Sequence, residues 1–109
     1  MSEIEKSTGN VYKDLEIEDS SEMLVKAQLA ATIKELIESK GLTQMQAAVT
    51  IGLSQPKLSR ILNGQFRGVS VSKMLEAINH LGRDVQIVIG PDRYMAGQIM
   101  PGRVEVIQH

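Results

Sequence analysis

Apolar residues recur at helical spacing along the first third of the chain. Between residues 19 and 40 they return every three or four positions, the period of one face of an α-helix. Asp19-Ser20-Ser21-Glu22 supplies capping groups at the start, and Gly41 supplies a terminator at the end. The pattern therefore predicts a long first helix that runs to about Lys40. Its inward face comprises Met23, Ala27, Ala30, Ile33 and Ile37, widened by Leu29, Ala31 and Leu36.

The middle of the chain predicts two short helices joined by a tight turn. Thr43 is a suitable N-cap, because its hydroxyl can accept from the free N–H groups of the first turn. Gly52 permits the left-handed backbone conformation that ends a helix. Ser54 caps the next helix, and Pro56 lies in its first turn, where a missing N–H does no harm. Asn63-Gly64 ends that helix, so the whole forms a predicted helix-turn-helix unit.

The second of these helices has an apolar side and a polar side. At about 100° per residue, Leu58, Ile61 and Leu62 fall together on one side. Glutamine can pair with adenine through two hydrogen bonds, arginine can pair with guanine in the same way, and serine can bond to either base. The polar side therefore suits the reading of base edges in a DNA groove. Its predicted base-contacting residues are Gln55, Lys57, Ser59 and Arg60.

A further helix and a strand follow this unit. Ser70 or Ser72 is expected to cap a helix that ends at Gly82. The segment from Asp84 to Ile89 is rich in branched residues and is bounded by Gly90-Pro91, which is typical of a β-strand. The predicted inward-facing residues of the helix before Gly82 are Met74, Leu75, Ile78 and Leu81.

The predicted strand needs a neighbour, because a single strand leaves its backbone N–H and C=O groups unpaired. The same strand of a second copy, related by two-fold symmetry, is the favoured partner. Val85, Ile87 and Ile89 are then the dimer-strand residues. Residues 103–107 and 11–17 are the alternatives within the chain. A symmetric dimer would present two reading helices about 34 Å apart to a palindromic site.

Charge is distributed unevenly along a chain whose net charge is only −1. Residues 1–22 carry seven acids and two lysines, whereas residues 40–80 carry five basic residues and a single acid. The first segment therefore has a net charge of −5 and the second a net charge of +4. A locally basic centre is what phosphate binding requires.

Three regions follow from these patterns. Residues 1–18 form an acidic, partly disordered segment, residues 19–90 a single helix-turn-helix domain with its terminal strand, and residues 91–109 a flexible tail. The chain has no cysteine and no apolar run long enough to cross a membrane. A cytoplasmic protein without disulfides is expected.

Catalysis has little support in the sequence. The only histidines are His80 and His109, and no Cys, His or acidic residues have metal-ligand spacing. Neither Gly90-Pro91-Asp92 nor Ala96-Gly97 resembles a phosphate-cradling motif. A protein that is not an enzyme and that needs neither a cofactor nor a metal is expected.

The helix-turn-helix residues resemble the lambda-repressor/Cro-like (Xre) family. From Leu42 to Gly64 the chain carries the pattern Leu-Thr-Gln-x-x-Ala-Ala-x-x-x-Gly-Leu-Ser-Gln-x-x-Leu-Ser-Arg-Ile-Leu-Asn-Gly, and the resemblance extends more loosely over residues 20–90. It implies an all-α, lambda-repressor-like helix-turn-helix bundle, with a short C-terminal β-strand used in dimerisation. The implied ligand is double-stranded DNA.

The resemblance also implies contacts to the DNA backbone. In the family, the residue at the position of Gln44 donates to a phosphate at a helix N-terminus. Asn63, Gln65 and Arg67 lie where the following loop can reach the phosphates. Pro56 departs from the family, because that position often carries a base-contacting polar side chain. The operator sequence therefore stays open.

A second resemblance concerns Leu81 to Ile89, which follows the pattern Leu-Gly-Arg-Asp-Val-x-Ile-x-Ile. Family members with this ending are commonly antitoxins of type II toxin–antitoxin pairs, which repress their own operon. The implied partners are a palindromic operator and a small basic toxin. The stretch from Glu3 to Ile17, or the tail from Pro91 to His109, could cover the toxin. The alternatives are a stand-alone Xre-type regulator without a toxin and a protein-interaction adaptor with the same fold.

Overall fold

The computed structural model describes residues 20–108, which form four helices and a two-stranded hairpin. Residues 1–19, with the predicted acidic segment, and His109 lie outside the described residues. The predicted helical helix-turn-helix fold with a C-terminal β element is confirmed. Its elements are α1 (Ser20–Ser39), α2 (Gln44–Ile51), α3 (Gln55–Leu62), α4 (Val71–His80), β1 (Tyr94–Met95) and β2 (Gln98–Ile99).

The helices enclose one aliphatic core. Helix α1 packs against α3 and α4, and α2 packs against the same two helices. Ile33, Leu58 and Met74 are the largest fully buried side chains, one each from α1, α3 and α4. Phe66, the only phenylalanine of the chain, is 7% exposed and covers this core from the loop between α3 and α4. The three helices that follow α1 are therefore held at fixed angles by shared packing.

The inward face of α1 differs in part from the predicted one. Ala30, Ile33, Ile37, Leu29 and Leu36 are buried as expected. Ala27 and Ala31 are exposed, and Val25 and Lys26 are buried in addition. The buried stripe is therefore rotated away from Ala27 and Ala31 and toward Val25 and Lys26.

The predicted strand at residues 84–89 is not a strand in the described chain. Residues 83–93 have no regular secondary structure. Residues 103–107 do not pair with them, and the other intrachain candidate, residues 11–17, lies outside the described residues. Branched side chains favour an extended backbone, but a strand also requires a partner that supplies hydrogen bonds.

The β structure lies instead in the predicted flexible tail. Tyr94 pairs with Ile99 and Met95 with Gln98 in an antiparallel register. Ala96 and Gly97 link the strands with φ values of 54° and 79°, the positive pair expected of a type I′ hairpin turn. Beyond the hairpin, Gln108 Nε2 donates to Thr32 Oγ1 of α1 at 2.6 Å. The tail therefore returns to the helical body.

Candidate nucleic-acid interface

The start of α2 is capped by two reciprocal hydrogen bonds. Gln46 N donates to Thr43 Oγ1 at 3.1 Å, and Thr43 N donates to Gln46 Oε1 at 2.9 Å. This capping box satisfies two of the N–H groups that a helix start leaves free. Thr-x-x-Gln is a sequence signature of the capping box, although only the Thr43 cap was predicted from it. The exposed Gln44 follows directly, at the positive end of the helix.

A left-handed glycine makes the turn between α2 and α3. Gly52 has φ +88°, and the N–H groups of Gly52 and Leu53 both donate to Ala48 O, at 2.8 and 3.0 Å. Ser54 then caps α3 by accepting from Lys57 N at 3.3 Å. Both predicted caps and the predicted turn glycine are confirmed. Residues 52–54 alone therefore connect the two helices.

Helix α3 turns its apolar side inward and its polar side outward. Leu58 is 0% exposed and Ile61 is 2% exposed. Gln55 and Arg60 are exposed, while Lys57 and Ser59 are partly buried. All four predicted base-contacting residues therefore retain some access to solvent, and the packing of Leu58 fixes the direction in which they project. Their contacts with bases stay a prediction.

The predicted phosphate-contacting residues are all exposed, at three places around α3. Gln44 precedes α3 in the chain and Asn63 follows it, yet both line one shallow concavity with Lys34 of α1. Asn63 Nδ2 lies 3.5 Å from Ser59 Oγ. Gln65 and Arg67 lie further along the loop that leads to α4. The structure therefore brings Gln44 and Asn63 together and places Gln65 and Arg67 on the following loop.

Two basic residues of α1 join this region without having been predicted. Lys34 is exposed beside Gln44 and Asn63. Lys26 is buried and donates from Nζ to Arg67 O at 2.9 Å. The sequence gives no signal for either, since a lysine inside an amphipathic helix is ordinarily assigned to the solvent face. Lys34 brings a positive charge to this concavity, which Glu38 of the same helix also lines with a negative one.

The described residues offer little for other chemistry. No group of three or more His, Cys, Asp or Glu side chains among residues 20–108 could hold a metal ion. His80 is exposed, and its Nδ1 lies 3.1 Å from Ile51 O, where it joins the end of α4 to the end of α2. No helix within the described range is long and apolar enough to span a bilayer.

Comparisons with known proteins agree with this geometry. The model of a family described as "Helix-turn-helix domain" matches residues 11–90. A solved structure named "Putative XRE Family Transcriptional Regulator" is 32% identical in sequence, with a TM-score of 0.72. The match covers 84% of this chain and 100% of that one. No curated protein matches. The chain therefore belongs to the Xre-type helix-turn-helix family.

Proposed function

We propose that this protein is a sequence-specific DNA-binding repressor that reads its operator with α3. The main support is that α3 has a buried apolar side and an exposed polar side. Leu58 and Ile61 are almost completely buried, so the opposite side faces outward with Gln55 and Arg60. Side chains held in this way by the core can contact base edges with little loss of conformational entropy on binding.

Phosphate contacts on both sides of α3 set the orientation of the protein on DNA. Gln44, at the positive end of α2, and Asn63, after α3, line one concavity and are proposed to contact the DNA backbone. Gln65 and Arg67 extend these contacts along the loop. The net charge of +4 over residues 40–80 attracts the phosphates, although the chain as a whole has a net charge of −1.

The repressor is proposed to act as a homodimer on a palindromic operator. Ile87, Val88 and Ile89 are 78%, 80% and 88% exposed, which leaves an apolar segment uncovered in the single chain. Residues 84–89 have no strand partner among residues 20–108 and can pair with the same segment of a second copy. Val85, Ile87 and Ile89 are the proposed interface residues.

A gel shift tests the repressor proposal directly. Purified protein is mixed at about 150 mM salt with DNA from upstream of its own gene, and with random DNA of equal length. A specific repressor retards the upstream DNA at concentrations about a thousandfold or more below those needed for random DNA. Equal affinity for the two DNAs would contradict self-regulation through this site.

We further propose that the protein is the antitoxin of a toxin–antitoxin pair. The support is the resemblance of Leu81 to Ile89 to that subgroup, together with the seven acids among residues 1–22. An acidic segment with apolar residues such as Val11 and Leu15 can neutralise and cover a small basic protein. The tail from Pro91 to His109 is a less charged alternative.

Co-expression with the neighbouring reading frame tests the antitoxin proposal. The product of that frame should co-purify with the full chain and should be lost when residues 1–18 are deleted. Cells that express the neighbour alone should stop growing. Normal growth and no co-purification would instead support a stand-alone regulator, whereas binding of a partner without any specific DNA binding would support an adaptor.

A further inference from the structure

Lys26 is a buried charged residue that the DNA-contacting face does not include. It lies in the inward stripe of α1 and is 2% exposed. Its Nζ donates to the backbone carbonyl of Arg67 at 2.9 Å and lies 3.6 Å from Glu22 Oε2. A buried ammonium is costly unless it is paired and hydrogen-bonded. The hydrogen bond from Lys26 therefore stabilises the position of the Arg67 carbonyl.

The loop between α3 and α4, which carries this carbonyl, is held by core packing and by backbone hydrogen bonds. Phe66 is 7% exposed and packs into the core, and Val69 N donates to Phe66 O at 2.9 Å. Gln65 N donates to Arg60 O at 2.8 Å, which joins the loop to the end of α3. Arg67 itself is exposed, although its carbonyl is bound to α1. The backbone is thus anchored while the side chain remains available to a ligand.

We infer that Lys26 is a positioning residue for DNA binding, which holds the α3–α4 loop so that the Arg67 side chain meets a phosphate. This inference rests on the proposed repressor function. Lys26 does not touch DNA in this arrangement, since it is buried behind the loop. Without this hydrogen bond the backbone at Arg67 loses its contact with α1, and fixing that part of the loop when DNA binds opposes binding. A residue 41 positions away in sequence thereby controls a phosphate contact.

A double-mutant cycle of Lys26→Met and Arg67→Ala tests the inference by DNA affinity at several salt concentrations. Arg67→Ala removes one phosphate contact and should lower the slope of log K against log salt by about one, and Lys26→Met should do the same. Arg67→Ala keeps the backbone carbonyl that Lys26 binds. If Lys26 acts through Arg67, Lys26→Met should therefore cause no further loss in the Arg67→Ala protein.

Two further variants separate positioning from a general effect of charge or folding. Lys26→Arg keeps a positive donor on α1 and should restore the salt slope toward that of wild type. Arg93→Met removes one positive charge outside the helix-turn-helix and should leave the slope unchanged. If Lys26→Met does not fold, as judged by circular dichroism, the same cycle is run with Lys26→Gln, which keeps a shorter donor.

Failure of the inference differs from failure of the proposed function. If Lys26→Met weakened binding by the same factor with and without Arg67, Lys26 would act elsewhere and the inference would be wrong, while the repressor proposal would stand. If Arg67→Ala left the salt slope unchanged, Arg67 would not contact phosphate and the inference would fail as well. If the wild-type protein showed no preference for any operator, both the inference about Lys26 and the proposed repressor function would be wrong.

Discussion

At the scale of single residues, packing gives the polar side chains of α3 their direction. Leu58 is 0% exposed and sits at the centre of the core, so it fixes the rotation of the helix about its own axis. Gln55 and Arg60 lie on the opposite side and are exposed. Because both ends of α3 are also capped or terminated, the outward side chains project from a rigid element.

Replacing the two exposed residues that are proposed to read bases, Gln55 and Arg60, should reduce specificity without unfolding the protein. Arg60→Ala and Gln55→Ala should each cost about 1–3 kcal/mol of operator binding, because each removes a proposed paired contact with a base edge. Binding to random DNA should change much less. Competition gel shifts with operator and random DNA measure the difference.

Matched controls come from the C-terminal hairpin. Arg93→Ala and Gln98→Ala remove the same side chains from exposed positions outside the helix-turn-helix and should bind the operator like wild type. Gln44→Ala should instead weaken binding to operator and random DNA alike, since it is assigned to the DNA backbone. Operator affinity unchanged in both the Arg60 and Gln55 variants would show that another surface reads the DNA.

At the scale of elements, the angle between α2 and α3 depends on one backbone conformation. Gly52 adopts φ +88°, and this left-handed turn lets two N–H groups share the Ala48 carbonyl. Since α2 carries Gln44 and α3 carries Gln55, this angle sets how the proposed phosphate and base contacts are spaced. A change at Gly52 therefore acts on both kinds of contact.

Gly52→Ala should lower the free energy of unfolding by about 1–2 kcal/mol, because a side chain disfavours the left-handed conformation. Gly68→Ala is the matched control. A Cβ at either glycine meets no atom within 4 Å, but only Gly52 has a positive φ. Urea denaturation measures both variants, and the control should stay within about 0.5 kcal/mol of wild type. Equal losses in the two variants would mean that backbone strain at Gly52 is not the cause.

At the scale of the whole molecule, the region after α4 leaves several large apolar side chains exposed in the described chain. Ile87, Val88, Ile89 and Ile99 are all at least 78% exposed. Three of these residues are consecutive in the chain, and clustered apolar surface marks an interface more often than scattered single residues do. A dimer through residues 84–89 would cover it and would also supply the second reading helix that a palindrome requires.

Ile87→Pro should abolish dimerisation, because proline removes a backbone donor from the proposed intermolecular pairing. Sedimentation at several protein concentrations measures the oligomeric state. Val104→Pro is the control, since Val104 is also exposed but lies outside the segment. The Ile87→Pro protein should sediment as a monomer with unchanged helical content. A dimer that survives this substitution would place the interface elsewhere.

The sequence by itself determined the helices, their caps and the division of α3 into an apolar and a polar side, because these depend on neighbours within a few positions. Thr43, Gly52 and Ser54 act on the backbone beside them, and the alternation around Leu58 is a property of one helix. Tertiary structure decided the rest. Lys26 is buried where the Arg67 carbonyl, 41 positions away, accepts from it, and residues 84–89 have no strand partner among residues 20–108. Burial of a charge and pairing of a strand both depend on partners distant in sequence, which local patterns do not contain.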